Sequence, residues 1–228
     1  MSTGAVPAEA RDARARRRSE QLLQAAARLM ERDGSDSVAM QAVAEEAGVS
    51  VGLIYRYFGG KNDLLLAVIV DVLDSFGTAV PAAVAAAGDD PVRQLAAAFR
   101  AYCEVIDAHR HAAVLTYRES KALTAEGRRT IKDLEVATSE PLREILRKGI
   151  AAEVFQPVDV VLVSYNLLLL THAWALKHWY FEDDFSLDGY VREQTALALA
   201  ALLPPGGRRK YSALLATGPT PPRGRKRS

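Results

Sequence analysis

The run MQAVAEEAGVSVGLIYRYFGGKNDL at positions 40–64 constrains this chain more than any other stretch. Its first part, 40–47, sets Met40, Val43, Ala44 and Ala47 on one face at helical spacing. Gly48 falls where that helix must end, because glycine enters the left-handed conformation of a sharp exit without steric penalty. Ser50 follows as a cap whose hydroxyl can accept from a free backbone N–H of a second helix. That second helix is too short to stand alone and has to lean on its neighbours. Two short helices across a tight turn make a helix-turn-helix, whose second helix enters a DNA major groove.

The ordered set Val43-Ala44, Ala47-Gly48-Val49-Ser50, Gly52, Ile54, Tyr55-Arg56-Tyr57-Phe58, Lys61 and Asp63-Leu64 resembles the N-terminal DNA-binding domain of the TetR family of bacterial transcriptional regulators. The resemblance is specific from near Leu22 to Leu66. Ile54 and Phe58 lie four apart and face inward with Val43 and Leu22. Tyr55 and Tyr57 carry polar tips suited to phosphate oxygens, Arg56 adds charge, and the resemblance sets Lys61 on a phosphate as well. Phosphate contacts fix register without carrying sequence information. Base reading therefore falls to Ser50, Val51, Gly52, Leu53 and Arg56. Arg16, Arg17 and Arg18, with Arg11 and Arg14, form a basic arm that in this family reaches the minor groove or the flanking backbone. Three positions depart from the family pattern. Val51 stands where lysine is usual, Leu53 where a small hydroxyl residue or alanine is usual, and Ala39 where Ser or Thr usually caps the first helix. Ser37 is placed to take over that cap, and Val51 and Leu53 can meet thymine methyl groups.

The net charge of +1 hides a division along the chain. Residues 1–62 hold nine Lys/Arg against eight Asp/Glu, 63–206 hold thirteen against twenty, and 207–228 hold seven against none. An acidic body with basic ends fits a protein that touches DNA at one end. Cys103 is the single cysteine, so no disulfide forms within the chain, and no signal-peptide pattern is visible. Both features suit a cytoplasmic location.

No stretch alternates as a strand does, so the fold is read as all-α. The expected organisation is a flexible basic arm over 1–18 and a helix-turn-helix domain over 19–66. A ligand-binding and dimerisation domain follows over 67–205, then a disordered basic tail over 206–228, whose end is GPTPPRGRKRS. Within the first part a helix is expected over 19–32, ended by Asp33-Gly34. A long helix starts at Lys61-Asn62-Asp63 and links the two domains. Asp90-Pro91 opens the next, over 91–108, and a shorter one covers 111–122. The stretch 124–152 has helical pattern, and Pro141 should kink or split it. Helices over 160–181 and 187–203 complete the chain. Residues 160–176 carry no charge, but the run is short for a membrane span and includes Ser164, Asn166, Thr171 and His172. A helix apolar all round must be covered on every side, one face by its own subunit and the other by a partner. Two such helices from each chain give a four-helix bundle, as in TetR-like dimers, and a homodimer suits a two-fold operator.

The resemblance further implies a small-molecule site in the second domain, in an apolar cavity. Its expected lining is Phe99, Tyr102, Cys103, Ile106, Tyr117, Leu134, Leu142, Leu168 and His172. Residues 114–123 and 173–179 look like the branch of the family that regulates fatty-acid and sterol breakdown and responds to acyl-CoA thioesters. Coenzyme A phosphates would call for cations, with Arg110, Arg118, Lys121, Arg128 and Arg129 as candidates. No cofactor is implied. His109 and His111 are two apart on a helix end and point in different directions. His172 and His178 are six apart, so no zinc-ligand spacing is present. No nucleophile motif or phosphate-cradling glycine loop appears, which argues against an enzyme. The reading is a transcriptional repressor released from a palindromic operator by a small hydrophobic ligand, an acyl-CoA being the specific suggestion. A ligand-binding protein of the same fold without DNA function is the alternative.

Overall fold

The computed structural model describes residues 8–217, and no strand occurs among them. In chain order the helices are α1 (Ala8–Asp33), α2 (Met40–Ala47), α3 (Val51–Phe58), α4 (Lys61–Ala86), α5 (Pro91–Ala108) and α6 (Arg110–Arg118). There follow α7 (Ala125–Ala151), α8 (Val160–Leu176), α9 (His178–Phe181), α10 (Leu187–Leu202) and α11 (Ser212–Leu215).

Helix α1 begins at Ala8, well before the expected 19, so residues 8–18 are helical rather than a flexible arm. The stretch is built of Ala, Arg, one Glu and one Asp with no Gly or Pro, and all but Asp12 are strong helix formers. Charge was the misleading signal there. The helix stops at Gly34, whose φ of 82° suits glycine.

One apolar cluster runs without a break from the N-terminal helices into the body. Helix α4 threads both, burying Leu64, Leu65, Val68, Ile69, Val72, Phe76 and Val80. By length and composition alone α4 could cross a membrane. Its apolar side chains instead form this stripe, packed against α1, α5 and α7. A polar seam closes the junction between α1 and α6. Ser35 donates to Glu119 at 2.6 Å, Arg118 donates to the Glu31 carbonyl at 3.2 Å, and His111 contacts the Glu31 carboxylate.

Pro141 does not split α7, which is continuous through it. Tyr102, itself buried, donates to the Thr138 carbonyl, next to the Ala137 carbonyl that Pro141 leaves without its helical donor. Helix α4 likewise carries Pro81 in its interior.

The segment expected to open a disordered tail is partly ordered. A 3-10 turn over Arg208–Tyr211 and the short α11 fold back over the start of α5. Tyr211 is buried and donates to Asp90 at 3.0 Å, and Lys210 contacts the same carboxylate at 3.2 Å. Asp90 already caps α5 through the Val92 N–H at 2.9 Å. Burial would raise its pKa, but the bonds from Tyr211, Lys210, Val92 and Arg93 outweigh burial and hold it below the usual carboxylate range. The rest of the expected tail, from 218, lies outside the described residues.

Candidate nucleic-acid interface

The turn forms as its sequence dictates. Gly48 sits at φ 64°, ψ 35°, and its N–H closes α2 on the carbonyls of Ala44 and Glu45. The Ser50 hydroxyl accepts from the Leu53 N–H at 3.3 Å. Ile54 is fully buried with Val43 and Leu22, while Phe58 is half-buried. Burying Ile54 turns the opposite face of α3 outward. Tyr55 and Tyr57 are 50% and 58% exposed, and the Arg56 guanidinium lies 5.9 Å from the Tyr57 ring centroid. Ser50 and Gly52 are exposed as well, and Leu53 is half-exposed. Nothing lies within 4 Å of a Cβ built on Gly52.

Two expected residues are placed otherwise. Val51 leans partly onto the apolar core, which leaves less of it for an outside partner. The Lys61 ammonium donates to the Asp36 carbonyl at 2.7 Å and ties the start of α4 to the α1–α2 connection. Arg17 and Arg18 are exposed on α1, and the side chain of Arg16 lies outside the described residues.

Ser37 does not cap α2. Ala39 occupies the cap position in extended conformation, with no side-chain bond to the first turn. Ser37 gives its own N–H to the Gly34 carbonyl instead. An Ala39→Ser substitution should therefore stabilise the protein by about 1 kcal/mol. A thermal melt should show it as a rise of about 2–4 °C. An unchanged melting temperature would mean that water already satisfies those N–H groups equally well.

In the body, the expected ligand-lining residues separate into three groups. Phe99, Cys103, Leu142 and Leu168 are core residues buried among neighbours. Ile106, Tyr117 and His172 line a narrow cleft of about 20 Å³ between α4, α5, α6, α7 and α8. Tyr102 and Leu134 line a second, of about 210 Å³, between α4, α5 and α7. Tyr117 and His172 meet at 2.7 Å between the phenol oxygen and Nδ1. Burial pushes His172 down to about 4 and Tyr117 up to about 12, so both are neutral at physiological pH. Glu135 also lines the narrow cleft and was missed in the sequence. Its signal is a carboxylate one turn from Ile131 and two turns from Leu142 on the inward side of α7.

Of the cations proposed for coenzyme A phosphates, three are already engaged. Arg110 contacts Asp107 and His178, Arg118 the Glu31 carbonyl, and Arg128 the Leu123 carbonyl. Lys121 and Arg129 are exposed. His109 and His111 diverge as expected, towards Asp71 at 3.7 Å and towards Glu31. No group of His, Cys, Asp and Glu among the described residues is arranged to hold a metal ion.

Helix α8 shows where a partner would fit. Val161, Leu162, Tyr165 and Leu169 are exposed along it, and Leu197 is 63% exposed on α10. Between the two helices lies an almost wholly apolar groove of about 370 Å³.

Comparison with known proteins agrees with this architecture. Residues 22–68 match the family model for bacterial regulatory proteins of the tetR family, and 88–201 match the tetracyclin repressor-like C-terminal domain. The HTH-type transcriptional regulator HbdR of Aromatoleum sp. is 39% identical over 191 residues, covering 84% of this chain and 83% of that protein. The HTH-type transcriptional repressor KstR2 of Mycolicibacterium smegmatis is 31% identical, covering 72% and 79%. AibR, crystallised with isovaleryl coenzyme A and operator DNA, shares the fold at a TM-score of 0.66 and 21% identity, covering 79% of this chain and 97% of its own. With a family match in each half and relatives similar along most of its length, the chain belongs to the TetR family and is a DNA-binding transcriptional regulator.

Proposed function

We propose that the protein is a homodimeric repressor that holds a palindromic operator through α3 and lets go when a small hydrophobic ligand, of the acyl-CoA class, enters the body. The observation that carries the DNA half is the outward face of α3. Three adjacent side chains, Tyr55, Arg56 and Tyr57, stand in solvent beside an unobstructed Gly52, on a helix anchored by one buried isoleucine. Tyrosine and arginine tips there, with Arg17 and Arg18 on α1, suit phosphate oxygens, and Ser50, Gly52 and Leu53 are left to approach base edges. Lys61 joins them once its Asp36 contact is exchanged for a phosphate.

Dimerisation rests on the exposed apolar stripe of α8 with Leu197 of α10. A contiguous surface of this kind marks an interaction site. A two-fold copy laid against it covers both helices and gives the spacing of two heads that a palindrome needs. The acyl-CoA suggestion draws on the apolar clefts of the body and on exposed Lys121 and Arg129. AibR, a protein of the same fold, was crystallised with such a thioester.

The test is a gel-shift titration on the DNA upstream of the protein's own gene, with and without a panel of acyl-CoA esters. Binding released by one of them supports both halves; binding that none releases removes the ligand class and leaves the regulator. The same titration repeated over salt should give a slope of log affinity on log salt of about −5, if about six phosphates are neutralised across the dimer. A flat salt response would remove the α3 interface.

A further inference from the structure

The two clefts of the body are neighbours, and the same two side chains of α4, Leu73 and Phe76, line both. Phe76 is buried, with its ring centroid 5.2 Å from that of Tyr102. It therefore acts as a partition rather than a floor, and its displacement would join the clefts into one elongated space. Apolar side chains form the middle of that space: Ile69, Val72, Leu73, Ile106 and Leu134. The polar groups of the narrow end are Tyr117 on α6, Glu135 on α7 and His172 on α8, with Thr116, whose hydroxyl donates to the Ala112 carbonyl.

Their charges decide what they can meet. No Lys or Arg lines either cleft, whereas two carboxylates do, Glu135 in one and Asp74 in the other. The phenol and the imidazole satisfy each other. Glu135 has no hydrogen-bond partner among the described residues, and burial outweighs the attraction of Lys132, so its pKa is raised. A ligand hydroxyl can donate to Glu135. A ligand carbonyl can accept from the tyrosine–histidine pair. A ligand carboxylate would meet a like charge in a desolvated cleft, with no cation lining it to compensate.

We propose that the pocket opened by displacing Phe76 takes an apolar ligand ending in an uncharged hydrogen-bonding group, a hydroxyl or a carbonyl, and that Glu135 excludes ligands ending in a free carboxylate. This rests on the body being the ligand site, as proposed above, and adds the discrimination between an acid and its neutral derivatives.

The experiment uses the full chain and two eight-carbon probes, octan-1-ol and octanoate, followed by thermal melts and calorimetric titration at neutral pH. Octan-1-ol should raise the melting temperature with concentration, since a ligand that binds only the folded state stabilises it. Octanoate should bind about tenfold more weakly, or worse, because the site leaves its charge unpaired. Glu135→Gln should narrow that ratio to within about threefold by gaining octanoate, and should itself melt no lower than the parent. Phe76→Ala should melt lower but respond more strongly to octan-1-ol, as an emptied apolar site does when refilled. Octanoate binding as tightly as octan-1-ol, or a ratio untouched by Glu135→Gln, would overturn the proposal. If acyl-CoA esters still release the operator in that case, only this selectivity falls. If neither probe binds the parent or Phe76→Ala, and no ester releases DNA, the ligand site itself has been misplaced and both readings fall together.

Discussion

Gly149→Ala should be among the most damaging single substitutions in the body. A Cβ built at Gly149 would stand 2.0 and 2.4 Å from two ring carbons of Phe155 and 2.9 Å from a third. Phe155 is 2% exposed and has no open side to move towards. Its backbone is held too: the N–H groups of Val154 and Phe155 both donate to the Gly149 carbonyl. The next residue is tied to the end of α10, where the Gln156 N–H donates to the Leu202 carbonyl and its side-chain amide to those of Ala201 and Leu203. Relief of the clash must therefore shift the α7–α8 connection and α10 together. Overpacking a core generally costs about 1–3 kcal/mol, and contact this close belongs at or above the upper end. For a chain of this size that is a fall of roughly 6–12 °C in melting temperature. Adding Phe155→Leu should restore part of the loss, because the obstacle is the ring. A Gly149→Ala protein melting within a degree or two of the parent would show that Phe155 has an alternative position.

Gly52→Ala should have the opposite profile, intact folding with impaired DNA binding. Nothing within 4 Å obstructs the added methyl, and alanine is favoured over glycine in a helix by up to about 1 kcal/mol. The melting temperature should hold or rise. Operator affinity should fall by about tenfold or more, because a methyl group on the first turn of α3 occupies space that the interface proposed here gives to DNA. Calorimetry and gel shift on one preparation separate the two effects. Unchanged affinity would mean that the first turn of α3 does not approach the duplex closely.

The comparison of sequence with structure divides by how local the deciding contacts are. The α2–Gly48–Ser50–α3 unit was legible because every determinant lies within a few residues: a glycine in left-handed conformation, a serine cap, an isoleucine four positions from a phenylalanine. Asp90 and Pro91 at the start of α5 were legible for the same reason. The ordering of 208–215 was not, since it depends on Tyr211 reaching Asp90, 121 positions earlier. The start of α1 is obscured because the arginine cluster at 11–18 has both high charge, which suits a flexible arm, and high helix propensity, which prevails. The proposed ligand cleft is half legible. Helical spacing identifies Phe99, Tyr102, Cys103 and Ile106 as inward, but nothing in that spacing says which of them abut a void. Glu135 is inconspicuous because its neighbours in sequence, Lys132 and Asp133, make it look like part of a solvated face.

The proline and glycine inside α4 have a consequence on the scale of the double helix. Gly77 and Pro81 line the 210 Å³ cleft from within the continuous helix, whereas Lys61 begins it beside α3. At about 1.5 Å per residue, Gly77 lies roughly 24 Å along the axis from Lys61. A tilt of about 8° at Gly77 would carry the start of α4 sideways by roughly 3.4 Å, the rise of a single base-pair step. In a two-fold dimer the partner head moves equally, so the separation of the heads can slip by up to about two steps along the duplex. In the dimer proposed above, a bend of about 8° would then be enough to take the two α3 helices out of phase with successive major grooves.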